Sequence, residues 1–151
     1  MPRPGLLAVV VVVGAFATLP VEAATPAGQR TCVFLEAHRL GCVHPDSDAY
    51  PPGTRQWSGS AGCQVVAWGN SRWLWLQDNM SFDAAAKRLS SGRWRIIDWD
   101  TKKTLGYVIW RAPNAWDIQG PNGKRRAVAR GPDGAPAGLF TLVLTDCLSK
   151  G

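Results

Sequence analysis

From Cys63 onward the sequence consists of short runs rich in Val, Ile, Leu and Trp, each bounded by Gly, Asn, Asp or Pro. Such alternation of β-forming runs with turn residues is typical of an antiparallel meander. Asn122-Gly123 supplies the positive backbone angles that a two-residue hairpin turn requires. The pattern predicts a mainly β, small single-domain meander, barrel-like or sandwich-like, with one short helix. The predicted strands cover 63–69, 72–77, 93–99, 105–111, 115–119, 124–130 and 138–146.

The helix is predicted from Ser81 to about Gly92. Ser81 is a suitable N-cap, an Ala-rich run follows, and the cations come late, where the helix dipole favours them. The preceding segment, 43–62, holds several Pro and Gly residues and few apolar ones, so it is predicted to be a long irregular loop.

The start of the chain has the pattern of a secretory signal peptide. A short start carrying Arg3 leads into an uncharged apolar run from Leu6 to Leu19, which ends at Pro20 and small residues. We expect a signal peptide over 1–23, a flexible tail over 24–30 and one domain over 31–151. The protein is therefore expected to be secreted, extracellular or on the exterior of the cell envelope, with no stable membrane insertion after cleavage.

Four cysteines lie beyond the predicted signal, an even number for an exported chain. Two disulfides are expected, and four cysteines allow three pairings. We favour Cys32 with Cys42, which closes a short local loop, and Cys63 with Cys147, which ties the C-terminal strand to the middle of the domain. No Cys-x-x-Cys spacing is present, so we expect no metal and no cofactor.

The charge is concentrated in one half of the domain. The whole chain has a formal net charge of +6, but residues 87–130 hold 11 basic and 3 acidic residues, a local balance of +8. Such a concentration attracts anions such as nucleic acid, acidic polysaccharide or lipid headgroups. The alternative is that the charge serves solubility alone.

Eight tryptophans are several times the ordinary number for a chain of this size. Strand alternation places Trp73 and Trp75 on one face, where they form either an exposed stacking platform or part of the core. Arg93, Arg95 and Arg111 are predicted to lie across paired strands from one another and from Trp99. The candidate ligand-binding residues are Trp73, Trp75, Arg93, Arg95, Trp99, Lys102, Lys103 and Arg111.

A faint internal repeat is also present. Trp94-x-Ile96 and Trp116-x-Ile118 each place a Trp eight residues before a Lys. We interpret the two copies as successive hairpins with an aromatic anchor on the incoming strand.

Enzyme signatures are scarce, and no catalytic residue is assigned. His44 with Asp46 or Asp48 is the densest polar cluster, but its proline-rich setting favours turn capping. Asp98 and Asp100 are neighbours on one strand, a spacing that more often opens a turn than flanks a cleft.

The sequence therefore favours a non-catalytic, monomeric binding domain over an enzyme. Its expected ligand is an anionic or carbohydrate polymer at or near the cell surface, bound through exposed Trp and the basic segment. The alternative is a protein-interaction domain, an inhibitor or effector, that presents the 43–62 loop to a protein partner. A small hydrolase using His44 has the least support.

Overall fold

The computed structural model describes residues 29–46, 54–60, 62–67, 73–78 and 81–148, and it describes only the backbone of 73–78, 81 and 82. The predicted signal peptide over 1–23 and the tail up to residue 28 lie outside the described residues. Within the described residues, the first strand starts at Thr31.

In the described part of the chain, ten antiparallel strands form a closed barrel in which each strand pairs with the next, and β1 closes the ring by pairing with β10. This confirms the expected antiparallel meander in its barrel form. The strands are β1 (Thr31–Leu35), β2 (His38–Asp46), β3 (Arg55–Ser58), β4 (Gln64–Ala67), β5 (Trp73–Asp78), β6 (Ser81–Ser90), β7 (Arg93–Asp98), β8 (Thr104–Ala112), β9 (Ala115–Gln119) and β10 (Arg125–Arg130).

A helix, α1 (Gly134–Val143), runs through the interior of the barrel and is followed by a short 3-10 turn, Thr145–Cys147. The helix contacts strands on all sides, including β1, β2 and β5 to β10. Its residues from Gly134 to Phe140 are all buried. None of the helices in the described part of the chain has the length and apolar character needed to cross a membrane.

The two ends of the barrel are named by where α1 enters and where it leaves. The helix-entry end carries the β6–β7 turn at 91–92, the β8–β9 turn at 113–114 and residues 131–133, which lead into α1. The helix-exit end carries the turns at 36–37, 99–103 and 120–124, together with the 3-10 turn.

Small residues make room for the helix. A Cβ atom on Gly138 would collide with the Val108 side chain, and one on Gly106 would collide with the Gln119 carbonyl and the Leu142 side chain. Ala84 and Ala86 are fully buried members of the same core. Barrels with more than about eight strands have an interior too wide for wall side chains alone to fill, so a central helix completes this core.

Two predicted elements are wrong: the expected helix is a strand, and most of the expected last strand is a helix. Residues 81–90 form strand β6 instead of a helix, and Ala84 and Ala86 are small wall residues in the core that α1 shares. Residues 138–146, predicted as a strand, lie mostly in α1. A helix that is apolar on all faces is typical of a buried helix, and this packing overrides the strand preference of its Phe, Thr and Val residues.

The predicted 43–62 loop is also wrong over much of its length. Val43 to Asp46 belong to β2, and Arg55–Ser58 form β3, which pairs with both β2 and β4. Residues 47–53 lie outside the described residues. Strands β4, β5 and β7 to β10 confirm the other predictions to within a few residues.

Both favoured disulfides are confirmed. Cys32 and Cys42 lie directly opposite each other on β1 and β2. Cys63, just before β4, is bonded to Cys147 in the 3-10 turn, 84 residues later, and both belong to the buried core. The second disulfide therefore fixes the end of the central helix to the barrel wall.

Gly138→Ala is predicted to destabilise the protein by about 1–3 kcal/mol, because the added methyl group overpacks the core against Val108. In an ordinary exposed helix the same change stabilises by about 1 kcal/mol. Urea unfolding measures the effect. In a double-mutant cycle, Val108→Ala should cost less in the Gly138→Ala background than alone. A more stable Gly138→Ala variant would contradict the packing of α1 against β8.

Removing the Cys63–Cys147 disulfide by a Cys→Ala pair should cost roughly 4–5 kcal/mol, against about 3 kcal/mol for the Cys32–Cys42 pair. The loops that they close differ in length, with separations of 84 and 10 residues. Thermal unfolding of the two double variants measures the order. An equal or reversed order would show that loop length does not govern these contributions.

Candidate functional site

The outer surface of strands β6 to β10 carries a row of polar and basic side chains that are in register across five strands. Lys87 pairs with Arg95, Arg95 with Tyr107, Tyr107 with Gln119, and Gln119 with Arg125. With adjacent strands about 4.8 Å apart, the row spans about 19 Å. Together with Arg93, Arg111 and Asp117, it is called the basic face. Its members are Lys87, Arg93, Arg95, Tyr107, Arg111, Asp117, Gln119 and Arg125.

Arg93 lies with its guanidinium carbon 5.0 Å from the centre of the Tyr107 ring, a cation–π contact that holds the cation near the middle of the face. Arg95 is half-buried, and its Nε has no hydrogen-bond partner among the described residues. Neither arginine makes an ion pair with a described acidic residue. Their charges are therefore available to a ligand.

Asp117 is the acidic residue within this face. Its Oδ1 lies 3.6 Å from Arg111 Nη1 and 3.8 Å from Arg125 Nη1, and these contacts are too long to be hydrogen bonds. Exposed ion pairs of this kind contribute little to stability. The face thus keeps an excess of positive charge around one carboxylate.

The structure brings together some of the predicted ligand-binding residues and separates others. Arg93, Arg95 and Arg111 share the basic face, whereas Trp99, Lys102 and Lys103 lie in the turn at the helix-exit end. Lys102 Nζ lies 3.2 Å from the centre of the Trp99 ring. The aromatic partner of the arginines across the strands is Tyr107, not Trp99.

Trp73 and Trp75 lie on β5, opposite Lys87 and Ala85, but their side chains lie outside the described part of the structure. Among described tryptophans, Trp110 is the exposed one, with 50% of its surface accessible. It lies directly opposite Trp116 at the helix-entry end.

A cavity of about 140 Å³ opens at the helix-entry end. Three indoles line it, Trp57 from β3 on one side and Trp94 and Trp116 from β7 and β9 on the other. Arg55, Asp133 and the first turn of α1 complete the described lining. We call this cavity the indole pocket.

The chain leading into α1 is held in place by several hydrogen bonds. The Trp116 Nε1–H donates to the Gly131 carbonyl at 3.2 Å, and the Asp133 backbone N–H donates to Thr31 Oγ1 at 3.0 Å. A Cβ on Gly134 would collide with the Trp116 ring, so only glycine lets the indole lie against the start of the helix. These contacts fix the position of Asp133 in the pocket.

Asp133 is the N-cap residue of α1, yet its side chain makes no capping hydrogen bond. Its carboxylate is 13% exposed and lies 3.5 Å from Arg55 Nη2. Burial raises the pKa of this carboxyl above its usual 3.8, partly offset by the Trp57 indole N–H and the Arg55 charge. The Trp57 N–H is close enough to favour the charged form of the carboxylate, but its geometry does not meet that of a hydrogen bond.

Sequence reasoning did not select the pocket residues Arg55, Trp57 and Asp133. Arg55 and Trp57 lay in the predicted loop, and Asp133 lay between the predicted strands 124–130 and 138–146. The Trp-x-Ile repeat did contain a signal, because both of its tryptophans line the pocket while Ile96 and Ile118 lie in the core. A repeated aromatic anchor on alternate strands places both rings on the same inner surface.

Two of the weaker enzyme candidates, Asp46 and Asp98, have structural roles. Asp46 accepts a hydrogen bond from Gln56 Nε2 at 3.1 Å across the β2–β3 pair, and Asp48 lies outside the described residues. Asp98 opens the turn after β7 by accepting from the backbone N–H and the hydroxyl of Thr101, each at 2.7 Å. Those two hydrogen bonds, the backbone one foremost, lower the pKa of Asp98. Among the described residues, no three His, Cys, Asp or Glu side chains are grouped to hold a metal ion.

No family model matches the sequence, and comparison with curated proteins and with solved structures finds no significant match. The roles proposed for the candidate sites therefore rest on the chemistry of their own residues.

Asp133→Asn and Asp98→Asn should change the pH dependence of stability in opposite directions. The pKa of Asp133 is raised on folding, so its contribution to the free energy of unfolding falls as pH rises through and above 3.8. Asp133→Asn should therefore gain stability relative to the wild type between about pH 3 and about pH 7. The pKa of Asp98 is lowered, so its stabilising contribution is present above 3.8 and lost at lower pH.

Urea unfolding of the wild type and both variants across that range measures the two slopes. Asp98→Asn serves as the matched control, since it should lose stability relative to the wild type as pH rises. Parallel slopes for the two variants would contradict the assignment of Asp133 as a desolvated carboxyl.

Proposed function

We propose that the chain is a secreted, non-catalytic binding domain whose basic face binds an acidic polysaccharide at or near the cell surface. The observation that supports this most is the row from Lys87 to Arg125, in which cationic, aromatic and amide side chains are in register across five strands. A row of that kind presents regularly spaced charges to a polymer that carries repeated anions.

The chemistry of the row favours a polysaccharide among the polyanions. Arginine binds sulfate or carboxylate groups through paired N–H donors, and Arg93 and Arg95 have no competing ion pair with a described residue. Tyr107 and Gln119 between them both donate and accept hydrogen bonds, as sugar hydroxyls require. The predicted signal peptide and the two disulfides agree with a location where such polymers occur.

A protein-interaction domain remains the second candidate from the sequence, but its support is reduced. Much of the 43–62 segment belongs to the barrel wall as β2 and β3. Residues 47–53 of this segment lie outside the described residues.

Arg93→Gln with Arg95→Gln should weaken binding of a heparin oligosaccharide by about ten- to a hundredfold at low salt, with the slope of log affinity against log salt reduced by about two. The reason is that each arginine neutralises an anion and releases a counterion. Affinity is measured by calorimetry at several salt concentrations. The charge-matched control is Arg39→Gln with Lys124→Gln, which removes two exposed cations that lie outside the basic face, on β2 and in the 120–124 turn.

Equal losses in the two variants would show that net charge, not the basic face, attracts the polymer. Absence of heparin binding by the wild type would overturn the proposal. Tighter binding of single-stranded DNA of equal charge than of heparin would replace the polysaccharide by nucleic acid.

A further inference from the structure

We propose that the indole pocket is a second binding site, specific for one neutral sugar ring. The inference does not depend on the polyanion proposal, because the pocket lies inside the helix-entry end and the basic face lies on the outer surface of β6 to β10. Three features of the pocket favour such a ligand: its balanced charge, its buried indole donor and its aromatic walls.

The charged groups of the pocket balance each other. Arg55 is 67% exposed at the rim, where it both pairs with Asp133 and lies with its guanidinium carbon 4.9 Å from the centre of the Trp57 ring. Asp133 is the single described carboxylate in the lining. An added cation would meet Arg55 and an added anion would meet Asp133, so the pair favours a neutral ligand.

The buried polar atoms of the pocket require a ligand that both donates and accepts. Trp57 is only 3% exposed, and its Nε1–H has no hydrogen-bond partner among the described residues. A buried donor without a partner costs about 1–3 kcal/mol, so an acceptor at this position is strongly favoured. Asp133 beside it is a largely buried acceptor that lies 3.5 Å from Arg55 Nη2 and is also close to the Trp57 N–H. A sugar hydroxyl can donate to Asp133 and, once the buried indole N–H turns toward the cavity, accept from Trp57, whereas an ammonium group cannot accept.

The walls and the volume suit one ring. Indole faces carry negative partial charge and pack against the C–H groups of a pyranose. The cavity of about 140 Å³ is similar in volume to an engineered cavity of about 150 Å³ that encloses one benzene molecule, so it admits part of a pyranose ring and leaves the rest of the sugar at the open mouth. Exposed Trp110, opposite Trp116 in register, extends the aromatic surface at the rim.

The test is calorimetric titration of the wild type with the methyl glycosides of glucose, galactose, mannose and N-acetylglucosamine, at low and at physiological salt. At least one glycoside should bind with a dissociation constant on the order of 1 mM or below, unchanged by salt. Trp57→Phe keeps the aromatic ring but removes the N–H, and should weaken that binding about five- to tenfold. Asp133→Asn should weaken it about tenfold or more.

Lys124→Gln, at the opposite end of the barrel, is the control and should bind as the wild type does. Unfolding curves for each variant separate loss of binding from loss of the fold. Absence of binding by all four glycosides overturns the inference, as does binding that Trp57→Phe leaves unchanged. Saturable binding of tetramethylammonium that Asp133→Asn abolishes, with no glycoside binding, would make the pocket a cation site instead. Salt-dependent heparin binding and salt-independent glycoside binding are separate readouts, so one proposal can fail while the other stands.

Discussion

The structure depends on the packing of one apolar helix against the inner wall of a ten-stranded barrel. A closed ring of ten strands has an interior too wide for its own side chains to fill, and α1 supplies the missing volume. The fit is close, because Gly138 lies against Val108 and Gly106 lies against Leu142. The Cys63–Cys147 disulfide then fixes the far end of the helix. Barrel closure and helix burial therefore require each other.

The same packing creates the indole pocket. The helix begins inside the barrel, so its first turn forms part of the pocket lining, and the strands around it contribute Trp57, Trp94 and Trp116 as walls. Gly134 allows Trp116 to lie against the helix start, and the hydrogen bond to Thr31 positions Asp133. The packing of α1 and the indole pocket thus share residues, and a substitution that alters one is expected to alter the other.

The outer surface is largely independent of this core. Because side chains alternate across a strand, β7 directs Trp94 and Ile96 inward and Arg93 and Arg95 outward. The basic face is consequently free to vary in charge without repacking the interior. Strands β7 and β9 therefore contribute to two chemically different surfaces, the cationic basic face outside and the indole pocket, where Arg55 and Asp133 balance each other, inside.

The sequence by itself determined the antiparallel meander, six of the ten strands and both disulfides, because β-forming runs, turn residues and cysteine spacing are local signals. It also located the basic segment that holds Arg93, Arg95 and Arg111. Only the tertiary structure decided that the alanines of 84–86 form a strand and that Gly134–Val143 form a helix. Their local preferences point the other way, and burial of the helix inside the barrel outweighs them. The pocket was equally out of reach, since Trp57 and Asp133 are 76 residues apart and meet only when the barrel closes around α1.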